Sequence, residues 1–247
     1  MPSISYQLYC SRNFPTLDDT LAMLAQAGYK DVEGYGGLYG DAAGFKASLD
    51  RAGLSMPTGH FGLSQIEDQR DDMLALAKML KMDAVIVPYV MPEDRPTTAD
   101  GWRAFGKRLN DAGKPFLDAG FKFGWHNHDF EFAMVDGVLP EDAILEGGPD
   151  LSVELDIGWV KVAGLDLVQT INKYSGRLIA AHVKDIAPDG QCADESGWAD
   201  VGHGIIDWAP VHAAVQAAGV DRYVVEHDNP NDHKRFATRS LAAVKAF

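Results

Sequence analysis

The run GWHNHDFEF (Gly124–Phe132) sets two imidazoles, an amide and two carboxylates at the end of an apolar stretch. Three later runs repeat the theme. LSVELDI (Leu151–Ile157) carries Glu154 and Asp156, LIAAHVKD (Leu178–Asp185) carries His182 and Lys184, and RYVVEHD (Arg222–Asp228) carries Glu226 and Asp228. In a strand, residues two apart face the same way. His126 and His128, Glu154 and Asp156, His182 and Lys184, and Glu226 and Asp228 therefore each share a face, with apolar residues such as Trp125, Leu155, Val183 and Val225 opposite. Polar groups are costly to bury unless paired. A face built this way demands solvent, an internal hydrogen-bond network or a metal ion. Oxygen and imidazole donors without thiolates suit Mn²⁺, Mg²⁺, Co²⁺ or Zn²⁺, with Mn²⁺ placed first here. A cation held by such donors with open positions assists reactions of hydroxy-carbonyl compounds.

Each residue also has an ordinary reading. A lone histidine is satisfied by buried hydrogen bonds, Asp156 can cap a turn, and Glu226 can pair with Lys184. Four consecutive runs with the same habit favour one shared site. Glu33 and His60 fall near the ends of earlier strand-like runs and join it as candidates. His203, His212, His227 and His233 have weaker claims, and Trp125, Trp159, Trp198 and Trp208 serve equally as core or as platforms for a sugar ring.

The elements that must hold these residues alternate along the chain. Strand-like runs at Ile4–Tyr9, Tyr29–Tyr35, Leu54–Phe61, Asp83–Val90, Phe121–His128, Leu151–Ile157, Leu178–Asp185 and Arg222–Asp228 are separated by helical periodicities. The helices are expected at Thr16–Gly28, Asp41–Ala52, Gln65–Leu80, Thr98–Ala119, Pro140–Glu146, Asp166–Tyr174, Trp208–Ala218 and Asn231–Ala246. Several end in Ala-Gly before the next apolar run, as in QAGYKDVE and DAGFKFGW, where glycine stops a helix. Eight such units predict an α/β fold, a single (β/α)₈ TIM barrel over residues 1–247. A doubly wound open sheet is the alternative, but SRNFPT after the first strand is no phosphate-binding glycine loop. In a barrel the strand ends converge on one mouth, where chemistry sits.

The 247 residues carry a formal net charge of −14, which opposes nucleic acid and anionic membranes as partners. Cys10 and Cys192 form no disulfide framework or zinc spacing. With no signal-peptide pattern and no apolar run of membrane-spanning length, a cytoplasmic protein is expected. Self-association as a homo-oligomer stays open.

Taken together, GWHNHDFEF, LDIGWV, HVKD, VGHGIIDW and YVVEHD resemble the sugar phosphate isomerase/epimerase superfamily, the xylose-isomerase-like TIM barrels. The second half resembles it closely, and the first half only in its general course, with DVEGYG and TGHFG as weaker signals. The resemblance implies a divalent-metal-dependent isomerase or epimerase acting on a keto sugar or related polyol through a metal-stabilised enediolate. It implies Asp156, His182 and Glu226 as metal ligands. The fourth position, a glutamate in the ketose epimerases, falls at His126, with His128 or Glu131 as substitutes. Glu226 is expected as one acid/base group, with His126, His128 and Glu154 the candidates opposite, and Glu33, His60, His128, Lys184 and Trp159 as substrate contacts. His203 stands in VGHG where relatives commonly read GEG. An inosose-type dehydratase, a hydroxypyruvate-type isomerase and, in a different class, a non-catalytic sugar-binding protein are the alternatives.

Overall fold

A computed structural model describes residues 2–247. Eight parallel strands close into a barrel: β1 (Ser3–Gln7), β2 (Asp31–Gly34), β3 (Ser55–His60), β4 (Ala84–Val87), β5 (Lys122–His126), β6 (Ser152–Asp156), β7 (Leu178–Val183) and, after two short strands described below, β10 (Arg222–Val225). β1 pairs with both β2 and β10, which completes the circle. The fold is the expected TIM barrel. The register aligns the chemistry, with His126 opposite Glu154 and Asp156 opposite His182. The register shifts once before Glu33, between β2 and β3, and once before Glu154, between β6 and β7. A shift of this kind re-aims the side chain that follows it.

Outward-facing strand residues such as Tyr6, Val32, Val85, Phe123, Val153 and Val225 are fully buried under the helices. The helical layer runs α1 (Leu17–Ala27), α2 (Ala42–Ala52), α3 (Leu63–Asp68), α4 (Arg70–Leu80), α5 (Ala99–Asp118), α6 (Pro140–Gly147), α7 (Ile157–Val162), α8 (Leu167–Tyr174), α9 (Trp208–Ala217) and α10 (His233–Val244). Thr16 caps α1 by accepting from the Asp19 N–H, and Gly28 ends it at φ 103°, where only glycine is unstrained. α5 and α6 touch so closely that a Cβ on Gly106 would lie 2.0 Å from the Ile144 carbonyl oxygen.

Three features depart from the expected elements, the first being α7, a short helix directly after β6 where none was expected. The helix expected over Gln65–Leu80 is two, because Gln69 leaves helical geometry (φ −129°, ψ 37°). α4 starts afresh with Asp71 and Asp72 in its first turn, where carboxylates favour a helix N-terminus. After β7 the chain forms a small antiparallel pair, β8 (Asp185–Ile186) with β9 (Trp198–Ala199). No helix among the described residues is long and apolar enough to cross a membrane.

Candidate metal centre

At the C-terminal end of the barrel, β5, β6, β7 and β10 bring together His126, Asp156, His182 and Glu226. One donor atom from each lies within 4.8 Å of all the others. His182 Nδ1 is 2.9 Å from Glu226 Oε2 and 3.3 Å from His126 Nε2. His126 Nε2 is 3.6 Å from Asp156 Oδ2 and 4.0 Å from Glu226 Oε2, and His182 Nδ1 is 4.0 Å from Asp156 Oδ2. A cation with bonds of ~2.1 Å sets neighbouring donors ~3.0–3.4 Å apart, which falls inside this range.

Asp156 has two duties. Its Oδ1 accepts from the Trp159 N–H at 2.8 Å and caps α7, as the ordinary reading expected. Its Oδ2 is buried without a hydrogen-bond partner, as is His126 Nδ1. A buried carboxylate oxygen left unpaired is costly. A divalent ion held by His126, Asp156, His182 and Glu226 would supply its partner, so the residues present fit one.

A second layer lies beneath. His60 Nε2 sits 2.7 Å from Glu154 Oε2 and 3.1 Å from Glu33 Oε1. His182 Nε2 lies 2.8 Å from Glu33 Oε1 and 3.1 Å from Glu154 Oε2. The Gln7 amide donates to Glu33 Oε1 at 2.8 Å. Burial opposes charge on Glu33, but His60 and His182 outweigh it and hold its pKa well below the usual carboxylate value. Burial likewise opposes protonation of His60, and Glu33 and Glu154 overcome it, raising the pKa to about 10. His182 is raised for the same reason, by Glu154, Glu226 and Glu33 against burial.

Above this cluster opens a cavity of about 520 Å³ lined by Tyr9, Arg12, Tyr35, His60, Tyr89, His126, His128, Trp159, Glu226 and Asp228, among others. His128 stands beyond the end of β5, its ring against Tyr89, Phe130 and Trp159. Burial, then the charges of His126 and Lys184, push its pKa well below the ordinary histidine value, so it is neutral and can both donate and accept a hydrogen bond. Burial works against ionisation of Glu226, but Lys184, His182 and His126 hold its pKa well below the usual range.

Of the residues expected to contact substrate, His60, His128 and Trp159 line this cavity; Glu33 and Lys184 do not. Glu33 belongs to the layer beneath. Lys184 is fully buried, donates to Asp228 at 2.6 Å and lies 3.4 Å from Glu226. Its ammonium is packed against Trp198 and Trp159, 4.3 and 4.8 Å from the ring centroids. Glu154, expected as an acid/base group, is also beneath the mouth and lines no part of it. Glu131 is not a donor to the centre. It accepts from the Trp125 indole N–H at 3.1 Å and from the His128 N–H at 2.8 Å, and Trp125 packs outward against Phe105. His203 is exposed in its loop.

Sequence reasoning did not find Gln7, nor the role of Asp185. The fully buried Asp185 carboxylate accepts five N–H groups: from Ile186 and Gly202 at 2.9 Å, Gly204 and Ile206 at 3.2 Å, and the Trp208 indole at 2.9 Å. Gly204 is obligatory there, since a Cβ would fall 2.2 Å from Asp185 Oδ1. The acidic residue ending HVKD was the available signal.

Residues 21–246 match the family described as the xylose isomerase-like TIM barrel. The chain belongs to that family. Among solved structures, a sugar phosphate isomerase/epimerase from Parabacteroides distasonis superposes with a TM-score of 0.83 at 21% identity, covering 100% of this chain and 94% of the other. The 3-keto-D-glucoside 4-epimerase of E. coli superposes with a TM-score of 0.73 at 18% identity, covering 100% of both chains. At such identities the likeness is one of fold. An inosose dehydratase from Lacticaseibacillus casei is 24% identical over 148 residues, 54% of this chain and 49% of the relative. The chain thus spans about half the length of the curated relatives it matches.

Proposed function

We propose that this chain is a divalent-metal-dependent enzyme that epimerises or isomerises a keto sugar or related polyol, with Mn²⁺ as the first metal to test. The observation that carries the reading is the set His126, Asp156, His182 and Glu226 beneath an aromatic-walled cavity, with Asp156 Oδ2 buried and without a hydrogen bond, the Lys184 ammonium lying 3.8 Å away. A divalent ion there supplies Lewis-acid polarisation of a carbonyl and the acidity this lends to the neighbouring C–H.

The protein's own groups do the rest. Glu226 is anionic and faces the cavity, so it takes a proton from that carbon; its return to the neighbouring carbon isomerises the substrate, whereas a proton delivered to the opposite face, for which His128 is the candidate donor, epimerises it. Neutral His128, on the same lining, is the partner group that donates or accepts at a substrate hydroxyl. His126 serves the ion in this scheme and leaves the acid/base duty to those two. His60 offers a further hydrogen bond. Trp159, Tyr9, Tyr35 and Tyr89 stack on the apolar faces of a sugar ring and exclude water. Lys184, locked behind Glu226, offsets negative charge as it develops.

A dehydratase is the second reading, favoured by the match to inosose dehydratase. It needs the same proton abstraction, followed by loss of a β-hydroxyl. The deciding experiment incubates the Mn²⁺-loaded protein with keto sugars, inososes and hydroxypyruvate in D₂O. Deuterium at the carbon beside the carbonyl is expected for at least one compound, and the product formed separates the two readings. Tight sugar binding without any exchange would instead make the chain a sugar-binding protein.

A further inference from the structure

We propose that Glu33 and Glu154 form a two-carboxylate clamp under the metal centre that fixes which ring nitrogen of His182 faces the ion. The inference rests on the metal reading above and assigns these two residues a positioning role. His182 presents its nitrogens to different layers. Nδ1 faces Glu226, His126 and Asp156, whereas Nε2 faces Glu33 Oε1 at 2.8 Å and Glu154 Oε2 at 3.1 Å. A neutral imidazole has one N–H and one lone pair. Glu226 Oε2 also lies 2.9 Å from Nδ1, so both nitrogens face carboxylate; with a cation on the Nδ1 side, the one remaining hydrogen would stay on Nε2, held by Glu33 and Glu154, and the Nδ1 lone pair would point into the centre. Carboxylates that hold a ligating histidine in this way orient the ring and raise its basicity.

Both clamp residues are themselves held. Gln7 donates to Glu33 Oε1 at 2.8 Å, and His60 Nε2 lies 2.7 Å from Glu154 Oε2. The two strands that carry them are the ones whose pairing register shifts immediately before Glu33 and Glu154. Such irregularities re-aim a side chain at a defined point. Neither residue lines the cavity, and both are fully buried, so each acts on substrate only through the imidazoles it holds, His182 and His60. His126 differs: its Nδ1 is buried with no partner. One imidazole of the pair is therefore oriented by its neighbours and the other is not.

The competing arrangement is a second ion in the deep layer, because His60, His126, Glu154 and His182 also place donor atoms within 4.8 Å of one another. Alternating nitrogen and oxygen atoms at 2.7–3.1 Å are hydrogen-bond lengths, which favours the clamp.

The test measures Mn²⁺ content and Mn²⁺ affinity, by chelator competition, for the full chain and its Glu33→Gln, Glu154→Gln and Gln7→Met variants. One ion per wild-type chain is expected, with binding ~10–100-fold weaker in each Gln variant. Gln7→Met frees Glu33 without removing its charge and weakens binding by less. Proton NMR of the Zn²⁺-loaded protein adds a readout that a merely structural role would not move. A far-downfield His182 Nε2–H resonance is expected in wild type and is shifted or lost in Glu33→Gln. Should a Gln variant fail to fold, Gln7→Met and the wild-type resonance still decide. Two ions per chain, or unchanged affinity in the variants, overturns the clamp while leaving the metal reading standing. A wild-type chain that retains no ion overturns both.

Discussion

Two groups of buried acids sit on either side of the barrel wall, and they are opposites. In the barrel interior, Glu33 meets the His60 and His182 imidazoles, and Glu226 meets the Lys184 ammonium and the imidazoles of His182 and His126; these hold both pKa values well below the usual range against burial. Outside, between the barrel and its helices, Glu131 and Glu141 are equally buried but face no such cations. Burial, then the neighbouring Glu141, raises the pKa of Glu131 well above normal. Burial, with Asp142 adding and Lys173 opposing, brings Glu141 to about 8, and neither of its oxygens has a hydrogen-bond partner. The same side chain is thus held as an anion in one place and pushed toward its neutral form in the other. What differs is the company it keeps, and only the anionic group can serve a cation or remove a proton.

Replacing glutamate by glutamine separates the two groups. Glu226→Gln should cut turnover by ~10²–10⁴-fold while circular dichroism and thermal melting show an intact fold. Near-normal turnover would remove Glu226 from the chemistry. Glu141→Gln should act on stability instead. A carboxyl whose folded pKa is raised contributes stability that is complete below its unfolded pKa near 4.5 and is lost as pH rises toward the folded value of about 8. Urea titrations of both proteins from pH 4 to 8 should show wild type losing on the order of 3 kcal/mol relative to Glu141→Gln by pH 7. Parallel pH profiles would mean that Glu141 is ionised or solvated. Glu131→Gln is expected to cost less, about 1 kcal/mol by the same titration, since its amide nitrogen can no longer accept one of the two N–H groups that Glu131 serves. Smallest of all, His203→Ala should leave turnover unchanged and stability within about 0.5 kcal/mol, as expected for an exposed loop side chain.

The barrel was legible because each unit announces itself locally: a capping Thr16 or Asp41, a glycine stop at Gly28 or Gly53, then an apolar run. Alternation along the strands also put Glu154 and Asp156 on one face. It could not separate them by depth, because two residues on one strand face the same way yet stand about 6–7 Å apart along it. That spacing is the difference between a carboxylate in the His126–His182–Glu226 cluster and one below it. Gln7 left no trace, being one amide in a short strand whose partners lie far away in sequence. The break at Gln69 was hidden by a helical pattern that continues through it. The β8–β9 pair and the Asp185 hydrogen bonds are built from turns and glycines rather than from any period, so no periodicity could reveal them.

Asp185 carries a consequence of its own. The N–H groups it gathers all belong to the stretch from Ile186 to Trp208, so this segment, whose Trp198 packs behind the cavity-lining Trp159, is fastened at its root by one carboxylate. Such a segment behaves as a prefabricated tile. Its outer turn receives Asn229, Asn231 and Arg235 on Asp194 and Glu195, so the tile also pins the segment that leaves β10 just beyond Glu226.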